Sequence, residues 1–441
     1  MKNIKRISAV FATTLVLGTF SPLNFISPIT AEAAAIEQPT IEAAAAFIIE
    51  PTTGKVLLNQ NGDEKLGIAS MTKMITEYIL LEAIENGDLA WDDQISISEY
   101  AHKISQNYEL SNVPLRVDET YSVEELYQAM AIYSANGATI ALAEHIAGDE
   151  QTFVDMMREK VETWGITNYE LYNTTGLSNS DLYGHIYPGS TEENENTMTA
   201  REMAIVAQRL LIDFPDVLKT SSISEQKFRE GTSDEIKMTN FNWMLPGLIF
   251  ERENVDGLKT GTTDFAGASM TGTAEEEGMR IITIVMNATN GQEDESKRFV
   301  ETDKMMDWAF ENWEMVPAFE ENQVIENIDP VAVDDGKEDM IELAVKSDVS
   351  LLVPKNTDIK NTSVTIQLQK DLLNESDHLT APIEKGTEVG TAQVISEGDE
   401  LGYVNGEEGE EVTVVAASTI EKANVFVLGG RWVKDFISNL F

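Results

Sequence analysis

The order of apolar and polar residues predicts that the first part of the chain combines strands with helices. "AAAAFIIE" and "KVLLNQ", joined by a "PTTG" turn, read as a β-hairpin over residues 43–60. Apolar residues then recur at helical spacing over 70–86. "SVEELYQAMAIYSANGATIALAEHIAG" predicts two helices broken at Asn136-Gly137, because this dipeptide favours a turn. Further helices are predicted over 149–164 and from a Thr199-x-x-Glu202 capping box to about residue 214.

After this helical block the pattern changes to strands. "VDGLKTGTT", "GASMTGTAE" and "MRIITIVMNA" are three strand-like runs joined by short polar turns, and a predicted helix over 295–313 follows them. The strands therefore come from both ends of this region, and the helices lie between them. This order predicts one large α+β domain over residues 34–316, in which a sheet is flanked by helices.

Helical periodicity ends after Pro317. Alternating runs separated by turn residues follow, namely "MIELAVK", "VSLLVPK", "SVTIQLQK", "GTEVGTAQVI" and "EVTVVAAS". They predict a small all-β domain over residues 317–418.

The last segment, residues 419–441, has a different pattern. In "ANVFVLGGRWVKDFISNLF" the apolar residues that recur at helical spacing are Trp432, Val433, Phe436, Ile437 and Leu440. The opposite face is polar, and the segment is too short and too polar to span a bilayer. This pattern is typical of an amphipathic helix that lies in a membrane interface and anchors a chain peripherally. The alternative is a helix that packs on its own β domain.

The first 33 residues read as a secretory signal peptide. A basic "MKNIKR" precedes an apolar "ISAVFATTLVLGTF", and "AEA" at 31–33 is a small-residue cleavage site. Ser21 and Pro22 interrupt the apolar region, which favours cleavage over the alternative of a retained anchor. We therefore expect the mature chain to be exported.

Composition restricts the partners and the chemistry. The formal net charge is −45, which repels nucleic acid and provides no attraction to anionic lipid. The chain has no cysteine, so disulfides and thiolate metal sites are excluded. Its four histidines are scattered and form no H-E-x-x-H motif, so the sequence predicts neither a metal site nor a cofactor.

The first candidate catalytic residues lie in "LGIASMTKMI", where Ser70 and Lys73 are three residues apart at the start of a predicted helix. This spacing places both side chains on one helix face, so that the amine can activate the hydroxyl. Alone, the pair is weak evidence, because a helix cap and a snorkelling lysine give the same pattern.

Two downstream motifs strengthen the catalytic interpretation. "YSANGAT" contains Ser134 and Asn136 at the predicted helix break, where a loop can direct polar side chains into a cleft. "DGLKTGTTDFAG" contains Lys259, Thr260 and Gly261 on a predicted strand, where we expect the glycines to let a substrate backbone approach closely. S-x-x-K, S-x-N and K-T-G in this order are typical of penicillin-binding proteins and class A β-lactamases.

Longer segments resemble one family within this group. "PTTGKVLLNQNGDEKLGIASMTKMIT", "ELYNTTGLSNSDLYG", "TMTAREMAIVAQRLL" and "VDGLKTGTTDFAGASMTGTA" are similar to segments of the serine D-alanyl-D-alanine carboxypeptidases, the low-molecular-mass penicillin-binding proteins, in their Gram-positive form. The similarity extends over about 43–313, and a small β domain and an amphipathic tail are also features of that family. It implies a penicillin-binding, β-lactamase-like transpeptidase fold and a position at the outer face of the cytoplasmic membrane and in the cell wall.

The resemblance also implies a two-step acyl transfer. Ser70 would attack the carbonyl that joins the two terminal D-alanines of a peptidoglycan stem peptide, with Lys73 as general base. Ser134 would relay the proton to the leaving amine, and Asn136 would position the substrate amide. Water would then hydrolyse the acyl-enzyme, and β-lactam antibiotics would be covalent inhibitors.

A second group of residues would bind the substrate. By the same resemblance, Lys259 and the hydroxyls of Thr260 and Thr262 would hold the terminal carboxylate, beside Gly261 of the same motif. The backbone N–H groups of Ser70 and Thr262 would form the oxyanion hole. The peptide would lie along this strand as an added edge strand.

The sequence departs from the family pattern at two positions. Ala135 replaces a polar residue in the second motif, and Thr262 stands where Gram-negative relatives often have histidine, so a role of that imidazole is absent. A β-lactamase remains an alternative, but it needs a deacylating glutamate. Glu170 in "ELYN" is the nearest candidate, and alternation over 169–173 predicts a strand on which it faces out. A wall-binding protein with a degenerate site is the non-enzymatic alternative.

Overall fold

The computed structural model describes residues 36–424, with the exception of 327, 358–361, 396–400 and 407–408. The predicted signal peptide and residues 425–441 of the predicted tail lie outside the described residues. Among the helices of the described part, none is both long enough and apolar enough to cross a bilayer.

The helices are α1 Lys73–Glu85, α2 Glu99–Ser105, α3 Val123–Tyr133, α4 Asn136–Ala147, α5 Glu150–Thr163, α6 Ala200–Asp213, α7 Leu218–Ser221 and α8 Lys297–Asn312. Short 3₁₀ turns occur at Ala69–Thr72, Asn179–Leu182, Pro215–Val217 and Lys370–Leu372. The strands of the first part are β1 Ala43–Ile49, β2 Val56–Gln60, β3 Lys65–Gly67, β4 Gln94–Ser96, β5 Thr120–Ser122, β6 Thr197–Thr199, β7 Glu225–Phe228, β8 Ile236–Thr239, β9 Val255–Thr263, β10 Gly267–Glu276 and β11 Met279–Ala288. Those of the second part are β12 Trp313–Phe319, β13 Val331–Asp334, β14 Met340–Ile341, β15 Leu343–Val345, β16 Val349–Pro354, β17 Ser363–Leu368, β18 Leu379–Thr380, β19 Glu388–Ile395 and β20 Glu410–Ala416.

A five-stranded antiparallel sheet forms the centre of the first part, in the order β2-β1-β11-β10-β9. The N-terminal hairpin pairs with the three late strands, so that Phe47 lies opposite Ile284 and Thr271 lies opposite Lys259. The central strands are nearly continuous apolar runs because both of their faces are covered. The predicted sheet with strands from both ends of the region is confirmed.

Helices cover both faces of the sheet. On one face, α1, α5 and α6 pack through a core that includes Phe47, Met74, Phe153, Met203 and Ile284. On the other face, α8 contributes Phe299, Met305 and Met306 to a second core. A third core joins α2, α3 and α4 beside the sheet. The predicted α+β architecture is therefore confirmed.

The helix break in the second motif lies two residues earlier than predicted. Helix α3 starts at a capping box between Ser122 and Glu125 and ends at Tyr133, and Ser134 after it adopts a left-handed backbone with φ 54°. Asn136 and Gly137 are the first residues of α4 and do not form the turn. Gly137 is required for packing instead, because an added Cβ would lie 2.6 Å from the Cβ of Ser105.

The second part of the described chain is an all-β domain with a separate core. A four-stranded sheet, β15-β20-β19-β17, and a three-stranded sheet, β14-β13-β18, enclose a cluster that includes Val333, Leu351, Val389 and Val414. Strand β12 follows α8 directly and pairs with β16 of this domain. The connection to the first part is therefore a continuous strand across residues 316–317.

Candidate active site

The Ser70 turn connects β3, which pairs with β6 outside the five-stranded sheet, to α1. Strand β3 ends at Gly67, and a 3₁₀ turn over Ala69–Thr72 carries Ser70 directly into the helix. Ala69 has a left-handed backbone with φ 43°, which is unfavourable for a residue with a Cβ and is typical of functional turns. The turn leaves Ser70 partly exposed, whereas Lys73 is buried.

Lys73 makes three close polar contacts. Its Nζ lies 2.9 Å from the Oγ of Ser70, 2.8 Å from the Oδ1 of Asn136 and 2.8 Å from the carbonyl oxygen of Thr175. Asn136 Oδ1 and the Thr175 carbonyl can only accept. A neutral amine would donate its two hydrogens to these oxygens and direct its lone pair at Ser70. This arrangement suits proton removal from the serine hydroxyl.

The surroundings of Lys73 favour its neutral form. Burial and the nearby charge of Lys259 hold the pKa of Lys73 well below its ordinary value. An amine with a lowered pKa can act as a base near neutral pH.

The second motif supplies a hydroxyl and an amide from the α3–α4 connection. The left-handed backbone of Ser134 turns its side chain into the cleft, where its Oγ has no hydrogen-bond partner among the described residues. Asn136 is fixed by its Nδ2, which donates to the Ser111 carbonyl at 3.0 Å. The adjacent Gly137 N–H donates to Asn112 at 2.9 Å. The loop before β5 thus holds this motif in place.

The third motif lies on β9, at the edge of the sheet beside Ser70. Lys259 is buried, and its Nζ donates to the Thr260 carbonyl at 2.9 Å. A Cβ on Gly261 would lie 2.8 Å from the Ile68 carbonyl oxygen and 3.2 Å from the Ser70 nitrogen. The sequence predicted that these glycines admit a substrate. The structure gives another reason for Gly261, which is that the strand packs directly against the Ser70 turn.

Sequence reasoning missed Arg298, which lies at the start of α8. Its Nη1 donates to the Gly261 carbonyl at 3.0 Å and to the Thr262 Oγ1 at 2.7 Å, and its Nη2 pairs with Glu295. The guanidinium thus adds a positive charge to the Lys259 strand. No motif marks this arginine, because it enters the site from a helix 37 residues after the glycine that it contacts.

The structural role of the "NTTG" segment, residues 173–176, was also not predicted from the sequence. The Oδ1 of Asn173 accepts from the N–H groups of Thr175 and Gly176, which closes a tight loop. Buried Glu150 accepts from the N–H and the hydroxyl of Thr174 at 3.0 and 2.8 Å. The loop thereby holds the Thr175 carbonyl against Lys73. The resemblance of "ELYNTTGLSNSDLYG" to the family was the feature of the sequence that could have indicated this role.

The three motifs converge on one cavity of about 260 Å³. Its polar lining includes Ser70, Ser134, Asn136, Thr260, Thr262 and Arg298. The rest of the wall is formed by Glu109, Leu110 and Ser111 from the α2–β5 loop and by Leu177, Phe241, Gly261 and Glu295. Six of the eight residues predicted for the site therefore line this cavity, and the two buried lysines, Lys73 and Lys259, lie next to Ser70 and Thr260.

Glu170 is not among the residues that line this cavity. Its side chain pairs with Lys65 at 3.1 Å on the outside of β3, and both side chains are partly exposed. The predicted strand over 169–173 is reduced to a single bridge between Glu170 and Thr197. Glu170 is thus not placed to activate water at an ester of Ser70.

Two family models match this chain. A model described as D-alanyl-D-alanine carboxypeptidase matches residues 32–290, which is more than half of the chain. A second model, described as the C-terminal domain of penicillin-binding protein 5, matches residues 313–422. The second range coincides with the all-β domain.

Individual relatives resemble the chain over most of its length. D-alanyl-D-alanine carboxypeptidase DacF of Bacillus subtilis is 30% identical over 436 residues, which cover 98% of this chain and 99% of that protein. Among solved structures, a peptidoglycan synthesis regulatory factor (PBP3) from Streptococcus pneumoniae has a TM-score of 0.74 and 37% identity, covering 87% of this chain and 100% of that one. Penicillin-binding protein D2 from Listeria monocytogenes in its ampicillin-bound form has a TM-score of 0.50 and 29% identity, covering 62% and 100%.

Proposed function

Because this chain belongs to the family of D-alanyl-D-alanine carboxypeptidases, we propose that Ser70 is the nucleophile with which it removes the terminal D-alanine from peptidoglycan stem peptides. The protein is a serine-type carboxypeptidase of the penicillin-binding group. The observation that carries the proposal is the contact of 2.9 Å between Lys73 Nζ and Ser70 Oγ, made by an amine whose other two close partners are acceptors.

In the acylation step, neutral Lys73 takes the proton from Ser70 as Oγ attacks the carbonyl carbon of the penultimate D-alanine. The backbone N–H groups of Ser70 and Thr262 stabilise the oxyanion that forms. When the C–N bond breaks, Ser134 gives its proton to the leaving amine and recovers one from the Lys73 ammonium. The unpartnered hydroxyl of Ser134 beside the cavity supports this relay.

In the deacylation step, water attacks the Ser70 ester carbonyl and transfers a proton to neutral Lys73. The C–O bond then breaks, the proton returns to Ser70, and the shortened peptide leaves. Asn136, held by Lys73 and by the Ser111 carbonyl, is placed to orient the substrate amide.

The terminal carboxylate would bind at the end of the cavity beside β9. Lys259, Thr260 and Thr262 come from β9, and Arg298 adds a second cation that already contacts Thr262. A carboxylate there would make charge-assisted hydrogen bonds, which are the stronger class. This group supports the removal of a C-terminal residue rather than cleavage within a peptide.

We also propose that β-lactams acylate Ser70. The Listeria structure of similar fold is an ampicillin-bound form, which supports this expectation. A β-lactamase is disfavoured because Glu170 lies outside the cavity, paired with Lys65. A degenerate wall-binding protein is disfavoured because the polar groups of all three motifs converge on the cavity.

The location follows in part from the family, whose members act on the cell wall. We propose that a signal peptide cleaved after Ala33 exports the chain and that the amphipathic segment within 419–441 holds it at the outer face of the cytoplasmic membrane. The apolar face predicted around Trp432 and Phe436 supports this anchor.

Release of free D-alanine from a pentapeptide ending in D-Ala-D-Ala tests the proposed activity. The protein should release one D-alanine per peptide, and Ser70→Ala should release none. Hydrolysis of penicillin with little peptide cleavage would support the β-lactamase, and the absence of both activities would support the wall-binding protein.

A further inference from the structure

The guanidinium of Arg298 is covered by a carboxylate of the protein itself. The side chain of Arg298 is only 3% exposed, although Arg298 is one of the residues that line the catalytic cavity. Glu295 lines the same cavity, and its carboxylate pairs with the Nη2 of Arg298. The side chain of Glu295 is 46% exposed. A half-exposed carboxylate of the cavity wall therefore contacts a buried cation of the same wall.

The other contacts of Arg298 leave few of its hydrogens for a ligand. A guanidinium has five N–H groups, two on each Nη and one on Nε. The Nη1 donates to the Thr262 Oγ1 at 2.7 Å, to the Gly261 carbonyl at 3.0 Å and to the Ser269 carbonyl at 3.3 Å. The Nε is buried and has no partner among the described residues. The Nη2, which Glu295 contacts, is therefore the nitrogen that remains for a carboxylate in the cavity.

The two members of the pair are held very differently. The bonds to Gly261 and Ser269 fix Arg298 to the backbone of β9 and β10. Glu295 lies two residues before the first residue of α8, and among the described residues its carboxylate has Arg298 as its hydrogen-bond partner and no other. If the pair opens, the side chain that moves is therefore that of Glu295, which already faces solvent.

The terminal carboxylate of the substrate would meet Glu295 at this point. The Thr262 hydroxyl accepts from Arg298, which leaves its own hydrogen to donate to a carboxylate in the cavity. A carboxylate bound to Thr262 would thus lie beside the guanidinium that Glu295 contacts. Guanidinium–carboxylate hydrogen bonds belong to the strong, charge-assisted class, so both carboxylates gain from the same cation. Two like charges at one cation repel each other, and substrate binding therefore favours displacement of Glu295 into solvent.

We propose that Glu295 is a built-in competitor for Arg298, which the terminal carboxylate of the substrate displaces and which returns when free D-alanine leaves. The inference rests on the proposed carboxylate site at Thr262 and Arg298. Once the C–N bond is broken, the return of Glu295 favours release of D-alanine. Release limits the reverse reaction, in which the amine of D-alanine attacks the Ser70 ester. In that reaction a C–N bond forms, the C–O bond breaks and Ser70 recovers a proton from the amine.

The test compares Glu295→Gln with the wild-type protein on a peptide ending in D-Ala-D-Ala and on the same peptide with a C-terminal amide. Glutamine keeps the size of the side chain and removes its charge, so it competes less well for Arg298. We expect kcat/KM for the acid to rise about fivefold, between the effects of an exposed ion pair and of a hydrogen bond to a charged group. The value for the amide should stay the same, because the amide has no terminal carboxylate with which Glu295 could compete.

Free D-alanine provides a second measurement of the same competition. In Glu295→Gln its inhibition constant should fall by a similar factor, and exchange of labelled D-alanine into the peptide should increase relative to hydrolysis. A merely structural role of Glu295 would change neither quantity. Glu293→Gln is the matched control, because Glu293 is exposed, lies two residues earlier and changes the net charge by the same amount. This control should behave as the wild type in both measurements.

An unchanged or lower kcat/KM for the acid in Glu295→Gln would overturn the proposal, as would equal gains on the acid and the amide. Arg298→Ala separates the two levels of inference, and Thr262→Val at an exposed position replaces it if Arg298→Ala does not fold. If this variant retains the preference for the acid, the proposed carboxylate site fails, and with it the role of Glu295. If the variant loses the preference and Glu295→Gln equals the wild type, only the inference about Glu295 fails.

Discussion

Chemistry at the residue scale depends on two buried lysines in different surroundings. Lys73 has acceptor partners and faces the nucleophile, whereas Lys259 lies on a strand beside a second cation, Arg298. The same side chain can therefore act as a base in one position and as a carboxylate ligand in the other.

Substitutions of the two lysines should separate these roles. Lys73→Ala should reduce the rate of acylation by roughly 10²–10⁴-fold, since that is the usual contribution of a general base. Lys259→Ala should mainly weaken binding, so that a higher concentration of peptide restores much of the rate. Stopped-flow measurement of acylation against substrate concentration distinguishes the two effects. Acylation by Lys73→Ala at the wild-type rate would remove Lys73 from the mechanism.

The sequence predicted the residues that belong to short motifs and missed those that reach the cavity from other elements. Ser70 and Lys73 could be paired because helix geometry relates residues three apart. Arg298 could not be found, because its role depends on α8 bringing it to the end of β9. That packing is a tertiary property without a local pattern.

At the scale of elements, the loop over 173–176 connects local geometry to catalysis. Gly176 has a left-handed backbone with φ 78°, and an added Cβ would lie 1.8 Å from the Ala69 carbonyl oxygen. The loop therefore packs against the turn that carries Ser70, with no room for a side chain.

Gly176→Ala should destabilise the protein by more than about 3 kcal/mol, because a steric overlap adds to the usual 1–2 kcal/mol of a left-handed non-glycine residue. It should also abolish acylation. Gly165→Ala is the matched control, since Gly165 has φ 77° with open space around its Cα. Denaturant unfolding of both variants measures the difference. Equal losses of stability would contradict the close packing of this loop.

The elements themselves were largely predictable. The strands β9, β10 and β11 and the helix α8 follow from apolar runs and turns, and the capping box at Thr199 marks the start of α6. The break before Asn136 was misplaced because Ser134, a residue with a Cβ, adopts the left-handed turn. Propensity alone does not favour that conformation, and tertiary contacts impose it.

At the scale of the whole molecule, the β domain is attached to the catalytic domain through the β1–β2 hairpin. Val56 N–H donates to the Gly402 carbonyl at 2.9 Å, and Val404 N–H donates to the Gly54 carbonyl at 2.8 Å. Buried Lys55 donates to the Leu352 carbonyl at 3.0 Å. The sequence predicted both domains but not this contact, because it joins turns that are far apart in the chain.

Glu410 at this contact should make stability depend on pH. Burial and the nearby Glu50 raise its pKa to about 7, and Lys55 opposes the shift. The unfolded chain releases this proton near pH 4.3, so the folded state binds more protons between pH 4.3 and 7, and stability falls as the pH rises through that range. Glu410→Gln should therefore raise the melting temperature relative to the wild type at pH 8 but not at pH 4. Glu411→Gln on the exposed neighbour is the control, and an equal gain at both pH values would contradict the assignment.

The proposed anchor makes a separate prediction for the complete chain. Deletion of residues 429–441 should release the protein from membrane fractions and leave peptide hydrolysis intact, because the cavity is built from residues far upstream. Phe436→Asp on the predicted apolar face should also release it, whereas Ser438→Asp on the polar face should not. A truncated protein that stays on membranes would rule out this anchor.

The most direct test of the central claim is the site of acylation. After incubation with benzylpenicillin, intact-mass analysis should show one adduct with the full mass of the drug, since opening of the β-lactam ring adds all of its atoms. Peptide mapping should place the adduct on Ser70, and Ser70→Ala should carry none. An adduct on Ser134, or turnover of the drug too rapid for any adduct to accumulate, would contradict the account.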